Sequence, residues 1–158
     1  MVQLAAGRGQ EMQRAILHGV SAGALAGLLL VGVLFVDYSP GGNLAQVARW
    51  FGLGGGSGSQ LAGVLLLVII GALFGGILAL LTARWADSLT QFVLTGALMG
   101  VLWWAILVLL LGIGLQKTHM NPYGMLYWLA VSLFYGLSLG SLFGQLQIRK
   151  MDHEQRTI

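Results

Sequence analysis

The sequence predicts an all-α fold: a polytopic membrane four-helix bundle built from two repeated helical hairpins, with a short interfacial helix in the first outer loop. Three observations predict it. Of the 158 residues, 57% are hydrophobic and 8% charged, against about 25% charged in an ordinary soluble domain, and mean hydropathy is +0.84. Four long stretches carry no Asp, Glu, Lys or Arg. Within each of them small residues recur every four positions. This composition excludes a soluble enzyme, a nucleic-acid-binding domain and a disordered tail. With no cysteine there is no disulfide framework, thiolate metal site or cysteine nucleophile.

The four stretches run from Ala15 to Val36, Gln60 to Ala83, Ser88 to Leu115 and Gly124 to Ile148. Each exceeds the ~20 residues with which a helix rising 1.5 Å per residue crosses a ~30 Å hydrocarbon core. They are apolar on every face, whereas barrel strands would alternate over about 10 residues. The first continues ten residues past the small-residue run Ser21–Ala26, longer than a signal-peptide core, and reads as a retained anchor. The whole chain, residues 1–158, is therefore one transmembrane domain. An even number of spans puts both termini on one side. Arg8, Arg14, Arg84, Arg149, Lys150 and Arg156 share that side, and only Arg49 and Lys117 lie opposite. The positive-inside rule makes the richer side cytoplasmic, in a bacterial inner membrane.

The first outer loop, Asp37 to Ser59, contains a short helix with Asn43 as its N-cap. Leu44, Val47, Ala48 and Phe51 share one face, with Trp50 off that face at headgroup depth. The Gly/Ser-rich run from Gly52 stops it. The second outer loop turns at Asn121–Pro122. Tyr123, Tyr127 and Trp128 also fall near an interface, where amphipathic rings anchor helices.

The halves repeat. Gly23–Ala24–Leu25–Ala26–Gly27 aligns with Gly96–Ala97–Leu98–Met99–Gly100 at an offset of 73. At an offset of 65, Gly71 aligns with Gly136, Gly75 with Gly140, Ala79 with Gly144 and Arg84 with Arg149. Two such hairpins, each entering from the same side, are parallel repeats about an axis along the membrane normal.

Lipid tails are as apolar as leucine, so helices in a bilayer associate where small residues let backbones approach. The candidate packing residues are Gly19, Gly23 and Gly27; Gly71, Gly75 and Ala79; Gly96 and Gly100; and Ser132, Gly136, Gly140 and Gly144. Steps of four drift slowly around a 3.6-residue helix, so each set forms one flat stripe. The stripes serve either packing within the chain or docking to a second copy or another membrane subunit.

The sequence offers little chemistry. None of the eight Lys/Arg or five Asp/Glu lies in the middle of a span, where a proton- or ion-coupled carrier would keep one; Asp37 stands only at a span's end. No catalytic residue, metal site or cofactor is expected, because HExxH, paired intramembrane carboxylates and a Ser–His–Asp set are all missing. Three residues are weak candidates for holding a pigment, haem or quinone: His18 near one end of the first span, and Trp103 and Trp104 in the third. About 100° separates neighbours on a helix, so one of those tryptophans packs inward while the other faces lipid or a partner.

The run Gly96-Ala-Leu-Met-Gly-Val-Leu-Trp-Trp104, with Asn121–Pro122 and Leu133-Phe-Tyr-Gly-Leu-Ser-Leu-Gly140, resembles small four-helix bacterial membrane proteins of the YagU-like kind. The resemblance spans roughly Gly19 to Gly144 and implies topology but no activity. Those proteins often have His where this chain has Ser132, so any role of that His is missing here. The expected function is a non-enzymatic scaffold or accessory subunit. Its expected partners are the lipid bilayer and other membrane subunits or further copies of itself, with no nucleic acid. The alternatives are a small transporter or channel-like homo-oligomer, or a cofactor-holding subunit.

Overall fold

The computed structural model describes residues 2–36, 42–53, 58–82, 86, 88–115 and 121–155, with side chains omitted at 2–11, 111, 112, 114, 115 and 149–155. The helices are α1 (Val2–Val36), α2 (Gly42–Trp50), α3 (Ser59–Thr82), α4 (Leu89–Trp104) and α5 (Pro122–Gln155), with a π-helical stretch (Ala105–Leu115) continuing α4. Four of them are long and apolar enough to cross a membrane: Met12–Val36, Ser59–Thr82, Leu89–Leu110 and Pro122–Ile148. The chain is an all-α, multi-pass membrane protein.

The helices begin and end where side chains satisfy the free backbone groups. Ser88 and Gln91 form a capping box at the start of α4, the Gln91 amide donating to Ser88 Oγ at 3.4 Å and the Ser88 amide to Gln91 Oε1 at 3.2 Å. At α5, Asn121 Oδ1 accepts from the Gly124 amide at 2.7 Å, and Pro122 occupies a first-turn position whose missing N–H costs nothing. After α2, Gly52 takes φ +75°. Its amide donates to the Arg49 carbonyl while that of Leu53 donates to Ala48, each at 2.9 Å. This is the Schellman closure, which an L side chain at Gly52 would strain.

The hairpin α1–α3 packs beside the hairpin α4–α5. Joined through α1 against α5 and α3 against α4, the four long helices form a square, each antiparallel to its neighbours. Inner faces carry Leu30, Leu34, Leu67, Leu78, Met99, Leu107, Leu139 and Phe143, all buried. Outer faces carry exposed leucines such as Leu65, Leu73 and Leu98, as an acyl-chain solvent permits. In mid-bundle, Tyr135 Oη donates to the Gly71 carbonyl at 3.2 Å, and Phe74 meets Trp103 edge-on at 5.3 Å. These contacts tie one hairpin to the other.

Several expectations are corrected. Helix α2 starts at Gly42, so Asn43 is inside it rather than its N-cap, and the Asn43 amide nitrogen donates to Tyr127 Oη at 3.4 Å. Trp50 is not off the packed face but turned inward, 3% exposed, its ring 5.0 Å from that of Trp128. Trp128 is likewise turned inward, at 5% exposed. Two indoles packed together remove more apolar area from water than two anchored separately. The third span is not uniformly α-helical, since i→i+5 bonding takes over after Trp104. Helices α1 and α5 run past the predicted span limits, to Val2 and Gln155. Asp37, Tyr38, Arg84, Trp85, Lys117 and residues 54–57 of the Gly/Ser run lie outside the described residues.

Candidate functional site

The twelve small residues singled out from the sequence are all buried, and they meet inside the chain. On α1, Gly19 abuts the Gly75 carbonyl and Ala79, Gly23 abuts Gly71 and Gly75, and Gly27 abuts Leu67 and Val68 of α3. On α4, Gly96 abuts Gly136 and Gly140, and Gly100 abuts Ser132 and Gly136 of α5. Gly140 lies on the backbone of Phe92 and Val93, and Gly144 on the side chains of Leu89 and Phe92. A methyl group at Gly23 would stand 2.8 Å from the Gly71 carbonyl carbon; at Gly96 it would stand 2.8 Å from Gly140 Cα. Carbon atoms prefer about 3.5–4.0 Å. The helices of each hairpin are therefore in backbone contact.

The two seams correspond under the offsets of 73 and 65. Gly23 against Gly71 matches Gly96 against Gly136, and Gly27 against Leu67 matches Gly100 against Ser132. The correspondence breaks at one place. Where α1 has Gly19, α4 has Phe92, whose ring packs edge-on to Phe143 at 5.5 Å. Backbone contact persists there, since Gly140 rests on the Phe92 carbonyl as Gly75 rests on that of Gly19, and the phenyl ring turns to Phe143.

Gly63 makes a third close approach that the sequence reading passed over. A methyl group there would stand 2.7 Å from the Leu44 carbonyl carbon, so α2 rests on α3 at this glycine. The signal was present: Gly63 continues the four-residue line through Leu67, Gly71, Gly75 and Ala79.

At the end of the bundle carrying the termini, the apolar core gives way to a polar layer. His18 is one residue from Gly19, Thr82 three from Ala79, Gln91 one from Phe92 and Gln147 three from Gly144. The seams therefore bring all four to a similar level. Thr82 Oγ1 donates to the Leu78 carbonyl at 2.7 Å. His18 Nδ1 and Gln147 Nε2 are covered and have no hydrogen-bond partner among the described residues. The offsets pair His18 with Gln91 and Thr82 with Gln147, so the layer follows the repeat.

The three cofactor candidates are not brought together. Trp103 corresponds to Leu30 in the repeat, twelve residues from His18, which is about 18 Å along a helix. Trp103 is buried against Phe74. Trp104 is half-buried and does not simply face lipid, since its Nε1 donates to the Met125 carbonyl at 3.1 Å. No known protein family, curated protein or solved structure matches the chain.

Proposed function

We propose that the chain is a non-enzymatic scaffold or accessory subunit of a larger membrane assembly, set in a bacterial inner membrane with both termini cytoplasmic. The supporting observation is the tight packing of the described residues. Backbone seals each hairpin, and the buried faces between hairpins carry Leu30, Leu78, Met99, Leu139 and Phe143. No Asp, Glu, Lys or Arg lies in the middle of a span to couple an ion to movement. A conduction path along the small-residue stripes is disfavoured, because those stripes are filled by neighbouring backbone.

The same burial relocates the partner surface. The small residues are used within the chain, so another subunit is met through the outer faces, such as the line Leu61, Leu65, Ile69 and Leu73 of α3. Purification from native membranes in mild detergent, followed by cross-linking and mass spectrometry, tests this reading. A reproducible membrane partner or a defined oligomer is expected. A lone monomer throughout refutes it.

A further inference from the structure

Between α1 and α5 lies a groove of about 120 Å³ lined by Ala22, Leu25, Leu142, Gln145 and Leu146. We propose that this groove seats a few methylene groups of one acyl chain of an anionic glycerophospholipid from the leaflet on the side of the termini, with the headgroup phosphate at Arg14. The groove opens outward: Leu25 is 52% and Leu146 38% exposed. In a multi-pass membrane protein that outer face is met by lipid tails. Four of the five lining residues are apolar, which suits a tail, and the Gln145 amide suits the ester region of a lipid.

Polarity rises in one direction only. Seven and eleven residues before Leu25, and so within about 20° of its face, stand His18 and the exposed Arg14. Eleven residues span about 16 Å of helix, close to the ~15 Å half-thickness of the hydrocarbon core. With the tail beside Leu25, the phosphate therefore reaches the level of Arg14. A guanidinium at that depth favours an anionic headgroup over a zwitterionic one, by about fivefold for one cation.

The test is native mass spectrometry of the full chain in mild detergent, titrated with phosphatidylglycerol or with phosphatidylcholine of matched tails. One phosphatidylglycerol per chain is expected to bind saturably, and about fivefold more tightly than phosphatidylcholine. Arg14→Gln should remove that preference while keeping the weaker binding. Leu25→Trp, which fills the groove away from the glycine seams, should abolish saturable binding of both. Far-UV circular dichroism and the unlipidated Tm should match the parent for each variant, and Leu25→Phe provides a second filling variant if Leu25→Trp misfolds. Equal affinity for both lipids, insensitivity to groove filling, or cross-linking that seats a second copy or another polypeptide in the groove overturns the proposal.

Discussion

Replacing Gly23 by Ala adds one methyl group, and the structure determines what that group meets. It would stand 2.8 Å from the Gly71 carbonyl carbon and 3.0 Å from Gly75 Cα, and both are backbone atoms that no rotamer change can move. The Gly71 carbonyl oxygen lies nearer still, so an ordinary separation requires α1 and α3 to part by about 1 Å, which forfeits about half of each dispersion contact along the seam. Overpacking of this kind costs about 1–3 kcal/mol. The gain in helix propensity from Gly to Ala offsets up to about 1 kcal/mol, leaving a net loss of up to about 2 kcal/mol at full offset. Gly32, on the same helix, has nothing within 4 Å of a built methyl group. Gly32→Ala keeps the propensity gain alone and should stabilise by up to about 1 kcal/mol. Gly96→Ala, at the corresponding place in the other hairpin, should behave like Gly23→Ala. Reversible unfolding in mixed micelles, titrated with dodecyl sulfate and followed by circular dichroism, measures all three. If Gly23→Ala and Gly32→Ala shift stability by the same amount and sign, backbone contact is not what holds the hairpin.

Gly63→Ala should lift α2 from α3, since the new methyl group would stand 2.7 Å from the Leu44 carbonyl carbon. Acrylamide quenching of tryptophan should then increase as Trp50 and Trp128 separate, while the four long helices unfold as before; unchanged quenching counts against the docking. Tyr135→Phe deletes the 3.2 Å bond to the Gly71 carbonyl. It should cost only about 0.6 kcal/mol, the mean for such bonds in membranes, and a loss above about 2 kcal/mol would mean that the hydroxyl does more than tie the hairpins. Ser88→Ala removes the side-chain half of the capping box and should destabilise by about 1 kcal/mol, whereas Ser88→Asp, which retains an acceptor, should restore most of it.

The number and approximate positions of the spans were legible in the sequence because a bilayer enforces them residue by residue. Each crossing needs about 20 apolar residues, and a helix satisfies its own backbone without reference to the rest of the chain. The small-residue stripes were legible for the same local reason, a period of four that keeps one face. Which stripe meets which was only half legible: the offsets of 73 and 65 pair the hairpins with each other, but they do not say that Gly23 lies on Gly71. Tertiary structure decided that, and it decided that the stripes are used up inside the chain rather than offered to a partner. It also turned Trp50 and Trp128 inward, set α2 on Gly63 and opened α4 into a π-helix after Trp104. None of these has a period or a composition of its own. Each depends on how much space facing helices leave between them, a property of pairs of helices that no single stretch of sequence contains.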